Sequence, residues 1–471
     1  MIKIRKEIIF YSILLLVSTI ILIWPAIKNG YPLLFSDSGT YLATGHSGEV
    51  PIDRPIIYGL FVRHISLSWS IWLVVIAQSL LFNYLLYLIS KFIIKAKQPL
   101  TISTFIAIFL GLFTGVGYYA GQVVADIFTS ISLVSAVLLI ILDKKNVFHL
   151  TCLSIILIFS IITHLSHIPI VFMVICLIAI YFILKGQFKR KFGRLVLIGG
   201  LFGVSLLTIS TINYSFGYGF IISRTNNIIL ATRYIESGLA NKYLKKHCNS
   251  PDFNPPYKEL CGYVDQFHQW PAAGFYLYSD NSPLYLGDCK SRGNWSTCWE
   301  ERNEAYGVLI KDILSDDKLL IDFVALAFTG TLKQLITIEQ SEMNPHDLRY
   351  IIEKYYEDDL YSYDSANQTS RDVIFVNKSV VEAILVFISF LILVYFIIKH
   401  KAKIDGNSYL LLIAIFSGLF FNAAFCATLS NVIPRYQGRI IFLIPMLAII
   451  IIIVVFKDKI ASERVSLSRI L

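Results

Sequence analysis

The chain has 471 residues, of which 56% are hydrophobic and 15% charged, and its mean hydropathy is +0.65. That composition excludes an ordinary soluble globular protein, a disordered or collagen-like chain and a nucleic-acid-binding tail, and it points to a membrane protein. A formal net charge of +9 suits basic cytoplasmic loops as well as it suits anionic partners, so its sign assigns no function.

Ten apolar segments follow one another, at 8–27, 69–90, 100–118, 127–142, 148–163, 168–184, 195–212, 380–398, 408–429 and 440–456. Most can cross ~30 Å of hydrocarbon at ~1.5 Å per residue; those starting at 127, 148 and 168 need thinning or snorkelling. With a cytoplasmic N-terminus, the inside loops and ends hold twenty Lys and Arg against five in the short outside loops (Lys28, Arg54, Arg63, Arg435 and Arg439). That bias places both termini in the cytoplasm and requires an even number of crossings. The first segment starts basic but has no small-x-small cleavage site, so it reads as a retained helix.

The expected organisation is an N-terminal transmembrane module (1–212) with a first outside loop at 28–68, an extracytoplasmic domain (213–379), and a C-terminal transmembrane module (380–471). Within the inserted domain, 303–338 reads as helical and 249–300 as turn-rich, and no internal repeat stands out. Cys152, Cys176 and Cys426 fall in apolar segments and read as small buried hydrophobes. Cys248, Cys261, Cys289 and Cys298 all fall in the large outside loop, which suits two disulfides in an oxidising compartment; sequential pairing is expected among three connectivities, and zinc is the rival.

Unusual polar residues gather at the outer ends of the expected helices: Asp37, Asp126, His164 with His167, and Arg435 with Arg439. Transporters place ionisable groups near the bilayer midplane; this layout suggests an active site at the outer water–lipid boundary. The first outside loop carries Phe35-Ser36-Asp37-Ser38-Gly39-Thr40-Tyr41, then Asp53-Arg54-Pro55, then an amphipathic run from Ile56 to Leu67.

An acid just outside the first helix, followed by a surface-lying segment, resembles the GT-C superfamily of integral-membrane glycosyltransferases. The resemblance implies an all-α polytopic fold of about ten spans with an inserted extracytoplasmic domain, and a polyprenyl-phosphate sugar as donor. Asp37 matches the family's first-loop acid and Asp126, in Val123-Val124-Ala125-Asp126, its second acidic position. That second motif is often a pair, whereas Asp126 stands alone with Gln122. The large loop is also displaced, lying between the seventh and eighth segments where relatives often have a C-terminal domain.

The implied activity is inverting transfer of the sugar to a lipid-linked or cell-surface glycan, such as lipopolysaccharide O-antigen, at the outer face of a bacterial inner membrane. Asp37 would be the general base, its pKa raised by desolvation, and Arg435 and Arg439 would bind the donor phosphate. Asp53, Arg54, His164 and His167 would line the substrate cavity; Asp53-Arg54 reads equally as an ion pair, and the histidines as helix-end packing. No cofactor is firmly implied, and a divalent cation stays open; the partners are the polyprenyl-phosphate sugar, a glycan or glycolipid acceptor and membrane lipid, with no nucleic acid. Gly115, Gly117 and Gly121 lack the strand–helix setting of a nucleotide loop. The aromatic residues Tyr257, Trp270, Tyr276, Tyr278, Tyr285, Trp295 and Trp299 suit either a small domain core or sugar stacking. Three N-glycosylation triplets, beginning at Asn294, Asn367 and Asn377, matter only for a eukaryotic source. The rival functions are a lipid or glycan transporter and a non-catalytic subunit of a cell-envelope complex.

Overall fold

The computed structural model describes residues 2–287, 289–292, 295–338, 348–370 and 379–467. Among these, every regular element is a helix, and the only β pairing is an isolated bridge between Leu33 and Gln122. The triplet positions Asn294 and Asn377 lie outside the described residues; the Asn367 side-chain amide donates to the Lys28 carbonyl.

Among the described residues, seven helices are long and apolar enough to cross a membrane: Trp72–Phe92, His167–Leu184, Phe188–Ser215, Asp317–Ile336, Ser379–Lys399, Gly406–Leu429 and the run Pro434–Lys457. Three shorter apolar helices, Pro99–Phe113, Ile127–Ile141 and Val147–Ile162, coincide with expected segments. The first expected segment is broken near Ile23, with helix Ile2–Leu22 followed by the short Trp24–Asn29, which carries Pro25 in its first turn. Proline at the start of a helix needs no amide hydrogen there and fixes the new direction.

One of the seven was not expected. Asp317–Ile336 falls inside the region assigned to the outside domain, yet it lies along Gly406–Leu429, and Gln334 exchanges hydrogen bonds with the Ile433 backbone. Its other face exposes Leu320, Ile321, Val324, Phe328, Leu332 and Ile336, an apolar stripe at four-residue spacing. Mixed acidic and basic residues near its start hide this stripe in the sequence.

Two large hydrophobic cores organise the described residues, beside a small cluster of Ala26, Leu33 and Tyr118. The larger runs through the membrane helices, while the smaller is built from Ile228, Tyr234, Tyr257, Trp270, Tyr276, Trp299, Tyr306 and their neighbours in the insertion. Each fully buried side chain of this size contributes on the order of 2–3 kcal/mol. Most of the loop aromatics therefore build a core, whereas Tyr278 and Trp295 stay exposed. The structure pairs Cys248 with Cys261 and Cys289 with Cys298, as the sequential reading expects.

The stretch 348–370 of the insertion packs with the larger core. Leu348, Ile351, Ile352, Tyr356 and Tyr363 pack there, against the first outside loop. Asp359 accepts hydrogen bonds from Tyr31, Ser70 and the Ile71 amide, and Gln368 bonds both backbone groups of Leu34. This strap fixes the loop that carries Asp37.

Candidate functional site

Helix Ser36–Ser47 places Asp37 in its first turn. Ser38 anchors that turn twice, its hydroxyl accepting from the Phe35 amide and donating to the Val123 carbonyl. The helix lies against Ile57–Ser66, where Gly45 and Gly59 allow such close approach that a β-carbon on Gly45 would strike the Gly59 carbonyl.

Asp126 follows a non-helical stretch, 121–126, which would be costly inside a membrane if its backbone were left unpaired. Here it is paired. Leu33 and residues 121–123 exchange backbone hydrogen bonds of 2.9 Å, and buried Gln78 donates to the carbonyls of Ala120 and Gln122. Arg435 and Arg439 come from helix Pro434–Ile441 and stand one turn apart on one face.

These helix ends meet. Arg435 NH1 lies 3.0 Å from Asp37 Oδ2, and Arg54 NH2 lies 3.0 Å from Asp37 Oδ1. Arg54 also grips Asp53 with two hydrogen bonds of 3.1 and 2.7 Å. Arg435 Nε is 3.6 Å from Asp126 Oδ2, and Arg439 NH1 is 2.9 Å from Asp126 Oδ1. Three arginines and three aspartates thus alternate along one network. At the opposite helix ends, Lys95 pairs with Asp405, and Lys191 and Arg194 donate to the Ile140 and Leu142 carbonyls.

A cavity of about 520 Å³ opens beside the network. Asp37, Asp53, Arg54, His164 and Arg435 line it, with Tyr278 and Trp299 of the insertion opposite. Asp126, Arg439 and His167 do not. Arg439 is 0% exposed, and its donors are taken by Asp126, Asn422, Ser166 and Cys426. A guanidinium so engaged sets the position of its neighbours and has no donor directed at a ligand in the cavity.

His164 and His167 have separate surroundings although their ring centroids are 5.3 Å apart. His167 is a core residue, one ring nitrogen on the Ser160 carbonyl at 2.6 Å and the other on the Thr129 hydroxyl at 2.7 Å. His164 faces the cavity, with Nδ1 accepting from the Ser166 amide, so its proton sits on Nε2. Burial, then the charges of Arg439, Arg435 and Arg54, push its pKa well below the usual histidine value.

The expected rise in the Asp37 pKa is overturned. Burial does push it up, but Arg54 and Arg435 outweigh burial and hold the carboxyl well below the ordinary range. Two guanidiniums at 3.0 Å stabilise the charged form more than partial desolvation penalises it. Among the described residues no group of three His, Cys, Asp or Glu side chains could hold a metal ion.

Sequence reasoning missed Asn226, Asn422, Ser430 and Tyr436. The last three sit in or beside apolar segments; Asn422 is the clearest missed signal, since an amide within a span needs a partner, which here is Arg439 and the Tyr436 carbonyl. No protein-family model, curated protein or solved structure matches the chain, so the chemistry of this site is argued from its own geometry.

Proposed function

We propose that the chain is an integral-membrane glycosyltransferase of GT-C organisation, with about ten crossings and cytoplasmic termini. It moves a sugar from a polyprenyl-phosphate donor to a lipid-linked or surface glycan at the outer face of the inner membrane. The observation that carries this reading is the meeting of the first-loop acid Asp37 with Arg435, 398 residues away in the chain, on the wall of one cavity.

The cavity supplies what the transfer needs. A second, apolar hollow lined by Leu206, Leu207, Phe220 and Ile221 shares Ile222, Ser223 and Asn226 with it. A lipid tail lying along helix Phe188–Ser215 would therefore reach the cavity with its phosphate beside the arginines. The acceptor oxygen attacks the anomeric carbon as the bond from that carbon to the phosphate oxygen breaks, inverting the centre in one displacement. Asp37 takes the acceptor proton, and polyprenyl phosphate leaves with its extra negative charge facing Arg435 and Arg54. Arg439 and Asp126 hold Arg435 in place from behind.

The test is direct. Purified protein in lipid nanodiscs, given a radiolabelled polyprenyl-phosphate sugar and envelope glycolipid, should transfer label, and Asp37→Asn should abolish transfer while the protein stays folded. Vectorial movement of the donor without bond cleavage would replace this reading with transport. Full activity after simultaneous replacement of Asp37, Asp126 and Arg435 would remove the catalytic reading altogether.

A further inference from the structure

Among the described residues, Arg54, Arg435 and Arg439 pair with Asp37, Asp53 and Asp126 in one network. A phosphate entering it would compete with carboxylates for the same guanidiniums. Here both cavity-lining guanidiniums already end on one carboxylate. Each Asp37 oxygen takes one of them at 3.0 Å, the arrangement in which two arginines would share the non-bridging oxygens of a phosphate. Arg435 is held from the other side by Asp126 and lies over the Phe35 ring, 4.5 Å from its centroid, so its position does not depend on Asp37 alone. The Asp37 side chain remains 20% exposed to the cavity, so an incoming anion can reach it.

We propose that Asp37 is an internal counter-anion: in the resting protein it holds the seat of the lipid phosphate, and phosphate binding lifts Arg435 from it and frees its carboxylate for the acceptor hydroxyl. This inference rests on the function proposed above and deepens it. Donor binding and base activation become one event, because the cation that suppresses the proton affinity of Asp37 is the cation the phosphate takes. An acceptor arriving first meets a carboxylate that cannot accept its proton, which orders the reaction with donor before acceptor.

The inference makes an unusual demand, that removing a proposed catalytic acid tighten substrate binding. Dissociation constants for polyprenyl phosphate would be measured in nanodiscs for the wild-type protein and for D37N, D53N and R435Q, with inorganic phosphate and uncharged polyprenol as further ligands. D37N should bind polyprenyl phosphate at least tenfold more tightly than wild type, D53N should change less, and R435Q should bind weakly. Polyprenol affinity should not change. A parallel gain for inorganic phosphate would place recognition in the phosphate group; a gain confined to the lipid would place it in a headgroup reached from the membrane.

Equal or weaker binding by folded D37N, or an equal gain for polyprenol, overturns the displacement while leaving the proposed function standing. Absence of polyprenyl phosphate binding in every protein, wild type included, overturns both. If D37N does not fold alone, D37A purified in acetate provides the second route. Added acetate should then weaken lipid phosphate binding to D37A but not to wild type, and insensitivity of D37A to acetate would again refute the displacement.

Discussion

Replacing Arg439 with methionine removes the most deeply buried charge of the site and tests whether the network behind the cavity holds it together. In the wild-type protein Arg439 reaches Asp126 at 2.9 Å, Asn422 at 2.8 Å and Ser166 at 3.0 Å, with no exposure to solvent. Methionine fills much of the space but removes the 2.9 Å partner of the Asp126 carboxylate, which among the described residues is left with Arg435 at 3.6 Å. Breaking a buried pair by removing one partner costs about 3–5 kcal/mol, a large part of the roughly 5–15 kcal/mol that holds a folded protein together. Arg439→Lys keeps the charge but cannot reach Asp126, Asn422 and Ser166 together, and should cost about 2 kcal/mol. The double substitution Arg439→Met with Asp126→Asn removes both charges and should recover about 2 kcal/mol relative to Arg439→Met alone. Unfolding in mixed micelles titrated with dodecyl sulfate, followed by near-ultraviolet circular dichroism, measures these differences. A loss under about 1 kcal/mol for Arg439→Met, or a double variant as unstable as the sum of the singles, would refute the argument.

Other predictions follow from single contacts. His164 stays neutral in the fold while an unfolded histidine takes a proton below about pH 6.5, so this residue contributes a loss of up to ~1.4 kcal/mol per pH unit on acidification below that value. His164→Gln should reduce the acid slope by that share, and parallel unfolding free energies for the two proteins between about pH 7 and pH 5.5 would contradict it. Gly45→Ala should push helices Ser36–Ser47 and Ile57–Ser66 apart at a cost of about 1–3 kcal/mol and displace Asp37, read as lower stability together with lower transfer activity. Cys248, Cys261, Cys289 and Cys298 should react with thiol reagents only after reduction, and loss of either bridge should cost on the order of 3 kcal/mol in thermal unfolding. Alkaline phosphatase fused after residue 240 should be active and after residue 188 inactive; the reverse would put the cavity on the other side of the membrane.

Hydropathy exposed most of the membrane helices because apolar runs of that length have few other uses. It failed at Asp317–Ile336, where Asp316, Asp317, Lys318 and Asp322 cluster at the start of an apolar helix whose first half, through Leu319 and Phe323, packs in the core of the insertion. The meeting of Asp37, Arg54 and Arg435 was legible because a charge at a helix end must either reach water or find a partner, and the structure brings these three to one cavity wall. Depth was not legible. Arg435 and Arg439 are one turn apart in the same short helix, yet one lines the cavity and the other is sealed behind it, a difference set by Asn422 on a neighbouring helix and Ser166 in the turn before helix His167–Leu184. The sign of the Asp37 shift was missed for the same reason, since local sequence reveals desolvation but not which cations fold back onto the carboxylate.

The strap of residues 348–370 and the arginines at 435 and 439 have a bearing on how the protein is made. Asp37 meets Arg54 within the same loop, but Asp126 leaves the ribosome some 310 residues before Arg439, with which it pairs. During that interval the early helices must shelter a buried carboxylate without its native partners, so the N-terminal bundle cannot reach its final packing until helix Pro434–Ile441 has been made. Chains stopped before Pro434 would keep Asp126 uncompensated, and should be recognisable to membrane proteases as unfinished even though nearly every hydrophobic span is already in place.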